Sequence, residues 1–338
     1  MFLDSAVEGL AYATSTQSGV TAASGEFVYK DGESVTFRLY DTLLDAAKAA
    51  PIVTPGDLKE IPDAHYTLNL IKVLLAADVD GNPDNGIQLA KAASGETWNF
   101  NLNQTTTAFD NDPTFKAFAA KYSRYVNSMG IANSIPTAGE AASHFNSTVH
   151  NALRKQQGAE AVFPVVGRKL SYSVKSDFCT NKDTWYGNAT VTMSKTGFKI
   201  AGAWSNLTTL LNSYSAAAVS NMTCSTLSNA VPDSTKEYAY GMFASPGVIA
   251  YKNVGNNTLE DMLNDMADFA YLDVNGNRGI MWPQYEFQTG SDVYGRKYID
   301  MFWRRNDTLW HSRTYYGEGT DATHGKEFGT ISERYVFQ

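Results

Sequence analysis

The stretch Tyr298-Ile299-Asp300-Met301-Phe302-Trp303-Arg304, followed by Arg305-Asn306-Asp307 and then Leu309 to Tyr316, reads as two aromatic strands around a tight turn. Asn and Asp tolerate the backbone that such turns require. With period-two alternation, Met301 and Trp303 share one face, and Tyr298 and Phe302 lie on the other. Aromatics on both faces suit a sheet buried on one side and covered or ligand-facing on the other. Working outward, further strands are expected at Lys169–Val174, Ala189–Met193, Phe198–Ala203, Tyr238–Phe243 and Val248–Tyr251. Thr258-x-x-Asp261 starts one interrupting helix, with Leu259, Met262, Leu263, Met266 and Phe269 on one face. Residues 159–338 are thus expected to form an antiparallel β-rich domain, sandwich or barrel, with one or two helices.

The first part of the chain has a different rhythm. Phe27 and Tyr29 alternate with polar residues, Asp31-Gly32 turns the chain, and Val35, Phe37 and Leu39 alternate again, which is a hairpin signature. Residues 1–60 are expected to be a small β-sandwich-like surface module. Helical spacing follows at Leu68, Ile71, Leu74 and Leu75. Asp112-Pro113 opens a second helix, and the capping box Thr137-x-x-Glu140 a third. Residues 61–158 are expected to be mainly helical and packed with that module. The fold class is therefore α+β.

Composition sets the outer bounds. The chain has 338 residues, 43% hydrophobic and 18% charged, which supports sizeable cores and argues against disorder. A net charge of −8 without a basic run opposes binding to nucleic acid. No apolar run is long enough to cross a membrane. Met1 leads directly into sequence that reads as folded, so the expectation is a cytosolic protein or one whose leader has been removed. The two cysteines, Cys179 and Cys224, favour export. They lack Cys-x-x-Cys spacing or a neighbouring His, so a structural disulfide is expected, worth roughly 3–4 kcal/mol on the chain-entropy view, the other reading being two free thiols.

The first 150 residues carry a resemblance in three blocks. These are Asp4-Ser5-Ala6-Val7-Glu8-Gly9-Leu10-Ala11-Tyr12 with Ser18 to Thr21 and Gly25 to Phe37; Val53-Thr54-Pro55 with Asp78-Val79-Asp80-Gly81-Asn82-Pro83-Asp84-Asn85-Gly86-Ile87; and Ala142-Ser143-His144-Phe145. In order and spacing they resemble a widespread group of Gram-negative bacterial envelope lipoproteins. The pattern Thr21-x-x-Ser24-Gly25-x-Phe27-x-Tyr29 is also similar to small transthyretin-like modules of surface proteins. The resemblance implies an outer-membrane, periplasmic or extracellular location and a lipid anchor on the precursor. It carries over no catalytic residue and stops before Val162.

Asp78, Asp80, Asn82 and Asp84 alternate oxygen-bearing side chains that could converge on calcium, which takes six to eight hard oxygens. Pro83 and Leu89 stand where an EF-hand needs Gly and a bidentate carboxylate, so this is no EF-hand. Asp273, Asn275 and Asn277 echo the turn with fewer charges. The other reading of both is an Asx/Gly turn whose side chains satisfy backbone amides. His144 and His150 lie on opposite faces of one helix and make no metal pair. No nucleophile elbow, phosphate loop or dinucleotide glycine pattern occurs. Trp282, Tyr285, Trp303, Trp310 and Tyr315 could line a glycan-stacking face or an apolar cavity, or fill a core. The leading expectation is a non-catalytic envelope or extracellular protein that binds a partner or assembles with itself. The alternatives are a carrier of a small apolar ligand in a calycin-like barrel and a polysaccharide hydrolase.

Overall fold

The computed structural model describes residues 1–150, 152–153, 162–164, 167–176, 186–193, 197–206, 228–230, 237–239, 270–272, 278–281, 285–291, 297–316 and 327–338. Helices and several antiparallel sheets coexist, with the C-terminal region rich in sheet, so the fold is α+β. The chain divides into two compact units. The first is Met1–Ala152 with Phe287–Ile299 and Glu318–Glu327; the second is Leu153–Glu286, Asp300–Gly317 and Phe328–Gln338. The expected boundaries at 60 and 158 ran along the chain, whereas the first unit also takes in two late segments.

In the first unit, β1 (Val7–Glu8), β2 (Ala11–Ala13), β3 (Ser18–Val20), β4 (Ser34–Leu39), β5 (Thr42–Leu43) and β6 (Ala47–Lys48) precede α1 (Ala64–Ala77). Then come β7 (Ile87–Gln88), α2 (Thr106–Asp110), α3 (Pro113–Tyr122) and α4 (Ala138–Phe145). The sheet order is β3-β2-β4-β5, with β6 also on β4, while β1 and β7 pair in parallel. The expected Phe27–Leu39 hairpin does not form. Both edges of β4 are occupied, by β2 on one side and by β5 and β6 on the other, so Phe27 and Tyr29 have no free edge to join. The turn itself is present, with Glu33 N donating to Lys30 O and Gly32 at φ +89°. The Phe27 ring packs edge-on against Phe37 at 5.3 Å.

α1 begins where the Asp63 carboxylate accepts the Tyr66 amide. Apart from His65 it is buried throughout, including the polar side chains of Asn69 and Lys72. A helix enclosed on every face is the centre of a core rather than a surface cover. Asn69 is satisfied by the carbonyls of Leu102 and Gln104. Lys72 pairs with Asp110 and lies over the Phe109 and Phe115 rings. Burial pushes its ammonium down to about 7, against the pull of Glu327 and Glu140.

The late segments are tied in by polar contacts. Asn146 pairs with both the amide and the carbonyl of Phe287, as a neighbouring strand would, and Phe145 meets the Phe287 ring edge-on. Glu327 accepts the amide and hydroxyl of Thr106, capping α2 from a residue far along the chain, and pairs with His65 at 2.5 Å. Burial would raise the Glu327 carboxyl, but His65 and Thr106 together hold it below its usual range.

Beyond these lie β8 (Val162–Pro164), β9 (Lys169–Ser176), β10 (Tyr186–Met193), β11 (Gly197–Asn206), β12 (Ser228–Ala230) and β13 (Glu237–Ala239). They are followed by β14 (Ala270–Leu272), β15 (Arg278–Met281), β16 (Tyr285–Ser291), β17 (Lys297–Arg305), β18 (Thr308–Tyr316) and β19 (Glu327–Phe337). A nine-stranded sheet has the order β12-β11-β10-β9-β19-β18-β17-β16, with β13 on β11, and among the described residues it does not close into a barrel. β17 and β18 are neighbours around Asn306, which takes φ +51°, as the sequence led one to expect. β9, β10 and β11 form a meander, and β19 pairs with β9 from Ile331↔Ser176 to Phe337↔Leu170. β14, β15 and β8 make a separate three-stranded sheet. Among the described residues, no helix is long and apolar enough to cross a membrane.

Candidate functional site

The acidic turn sits at the end of α1, and three tethers shape it. Ser5 Oγ donates to Pro83 O at 2.7 Å, and Ile87 N donates to Ala6 O at 2.9 Å. Gly81, at φ +70°, lies so close to the next segment that a Cβ there would stand 2.1 Å from Arg124 O. Only glycine fits that position. Asp80 accepts from Asn82 N and Asn85 Nδ2, both at 2.9 Å, and these bonds hold its carboxyl below the usual range. Asp78 is buried. Its Oδ1 accepts the Gln88 amide at 3.0 Å, while Oδ2 has no hydrogen-bond donor. Burial first, then the neighbouring Asp80, pushes Asp78 up to about 6. Asp84 is exposed. The observed bonds are those of an Asx/Gly turn. Among the described residues, no group of three His, Cys, Asp or Glu side chains stands together to hold a metal.

α4 supplies the facing wall. Its capping box is formed: Glu140 Oε2 accepts from Thr137 N and Thr137 Oγ1 at 2.9 Å, and Thr137 Oγ1 accepts from Glu140 N at 3.2 Å. Glu140 Oε1 accepts from Ser128 N at 2.7 Å, so one carboxylate fixes both the helix start and the preceding loop. Ser143 and Ser147 are exposed one turn apart. Between them His144 turns inward, with Nε2 3.2 Å from Asp4 O and 3.7 Å from Asp4 Oδ1. Asp4 is 0% exposed and neither of its carboxylate oxygens has a hydrogen-bond donor. Burial raises it to about 6, against the pull of His144.

Together these elements line an open cavity of about 520 Å³ within the first unit. Its walls are the turn Gly81 to Asp84, the loop Tyr125 to Ser128, and Glu140, Ser143, His144 and Ser147 of the α4 segment. The lining offers carboxylates, hydroxyls, amides and one imidazole, and no Lys or Arg. The sequence marks the turn, and for His144 it shows only that no metal pair forms with His150. The Asp4–His144 pair is not visible in it. Asp4 and His144 each lie inside a quoted block, which was the available signal, but nothing in residue spacing places residue 4 beside residue 144.

The other expected sites are distributed differently. Trp303 and Trp310 stack at 6.0 Å, and both are buried, as are Tyr285 and Tyr315. Alternation along β18 puts Trp310 and Tyr315 on opposite faces, so these aromatics do not form one surface. On the Tyr315 face, buried Asp300 receives Arg313 Nε and Nη2, each at 2.7 Å, and lies 3.0 Å from His311 Nε2. The His311 ring stacks on Phe302 at 4.5 Å. Burial would raise Asp300, but Arg313 and His311 bring it down to about 2. Trp282, Asp273, Asn275, Asn277, Cys179 and Cys224 lie outside the described residues. Comparison of the chain with protein-family models, curated proteins and solved structures finds no match.

Proposed function

We propose that this is a non-catalytic binding protein of the envelope or extracellular space, whose first unit takes a small polar ligand into the cavity. The observation that carries this reading is convergence. Residues of the second and third blocks, Gly81 to Asp84 and Ser143-His144, line one cavity, and the first block holds that lining from behind through Ser5 on Pro83 and Asp4 on His144, although nearly the whole first unit separates them in sequence. Its volume falls in the range of small-molecule sites. The described polar groups of the wall are tied to backbone: the His144 Nε2 is turned to Asp4, and the Ser147 hydroxyl donates to the helix carbonyl of His144 at 2.8 Å.

Calorimetric titration of the intact chain with a panel of neutral sugars, amino acids and amines tests this. A saturable ligand is expected, and Ser143→Trp, which fills the cavity from an exposed position, should abolish its binding without lowering Tm. Saturation that survives Ser143→Trp overturns the site. A second reading, self-association, is favoured by the end strand β3, which is exposed along its whole length. Light scattering that shows a monomer across a hundredfold concentration range would remove it.

A further inference from the structure

We infer that the cavity takes an amphiphilic organic cation, a protonated amine on a short apolar chain; this rests on the binding reading above. Three observations combine. The first is charge. Asp84 and Glu140 line the cavity, no Lys or Arg does, and the one imidazole, His144, turns its Nε2 to Asp4. Glu140 uses both oxygens as acceptors, from Ser128 and Thr137. The Asp4 carboxyl lies behind the His144 wall without a donor of its own. Lys72, the cation that feels Glu140, is fully buried and already paired with Asp110. An incoming anion would meet like charge here, whereas an ammonium would find carboxylates and serine hydroxyls.

The second observation is the rim. The loop after Tyr125 is stapled by its own Asn127. Asn127 Oδ1 accepts the amides of Met129 at 3.1 Å and Ile131 at 2.8 Å, and Asn127 N donates to Ile131 O at 3.0 Å. This loop holds in solvent Val126, which lines the cavity, and Met129 and Ile131, which follow its last lining residue Ser128, with Met129 59% and Ile131 54% exposed. Exposed large side chains on a lining loop offer contact area to an apolar chain. The third observation is size. A bare inorganic cation would leave most of about 520 Å³ unfilled, a volume that suits an amine carrying a six-carbon chain.

The test is calorimetric titration of the intact chain at pH 8 with hexylammonium, methylammonium, hexanol and hexanoate. Hexylammonium should bind about tenfold tighter than hexanol or methylammonium, with hexanoate weakest. Asp84→Asn, at an exposed position, should weaken hexylammonium about fivefold and leave hexanol unchanged. Met129→Ser with Ile131→Ser should remove the advantage of hexylammonium over methylammonium. Equal affinities for hexylammonium and hexanol, or no effect of Asp84→Asn, overturn the cation assignment. If hexanol or a sugar still binds in a way that Ser143→Trp abolishes, the binding reading survives that failure. If no probe binds, both fall.

Discussion

Each unit buries one aspartate beside a histidine, and the two are solved in opposite ways. Asp300 in the second unit meets a bidentate guanidinium and an imidazole, and its carboxyl is held down to about 2. Asp4 in the first unit has His144 at 3.7 Å, no donor on either oxygen, and a carboxyl raised to about 6. A buried charge is tolerated when its partners replace the water it lost, and it is a source of tension when they do not. Asp300 therefore reads as part of the scaffold. Asp4 lies behind His144, a wall of the cavity.

The largest effect should come from Asp300→Ala. It leaves Arg313 and His311 facing each other without their counter-charge, at a cost of about 3–4 kcal/mol in urea unfolding. Asp4→Asn should cost far less at pH 8, and equal losses for the two variants would break the contrast.

The pH dependence comes next, and its sign differs between the sites. Asp4 is raised above its ordinary value of 3.8, so its contribution is full below about pH 4 and is lost as pH rises through 6. The swing is on the order of 3 kcal/mol. Asp300 is depressed, so its contribution is present above about pH 4 and is lost as pH falls toward 2. Chemical denaturation at pH 4, 6 and 8 should show a loss of stability from pH 4 to 6 in the native chain that shrinks in Asp4→Asn, the remainder coming from Asp78, which is raised in the same way. An unchanged loss in that variant would remove Asp4 from the account.

Smaller effects sharpen the geometry around the cavity. Gly81→Ala drives a Cβ toward Arg124 O and also strains a positive φ, so a loss of about 2 kcal/mol in thermal unfolding is expected. Thr137→Ala removes the capping box that holds Glu140 and should cost about 1 kcal/mol, with a matching loss of helicity by circular dichroism.

Much of the local structure was legible in sequence. The caps Asp112 and Thr137, the helix through Leu68 to Leu75 and the Arg305-Asn306-Asp307 hairpin are all where spacing and turn chemistry put them. Each depends on neighbours within one or two turns. The Phe27–Tyr29 strand failed for the opposite reason. Its alternation was correct for a buried segment, but strand formation needs a free edge, and β4 had already spent both of its edges on other partners. The cavity was half legible, since the acidic turn stood out, while its other walls came from distant blocks.

What the sequence by itself determined is the set of short-range elements, the absence of any long apolar span and the acidic balance, because these follow from residue type and spacing alone. What only the tertiary structure decided is which polar groups meet. The union of Asp4 with His144, the capping of α2 by Glu327 and the burial of Lys72 among rings depend on contacts between residues well separated along the chain. The physical reason is that a carboxylate's character lies in its surroundings: the same Asp is an anchor beside Arg313 and a strained, proton-seeking acid beside His144.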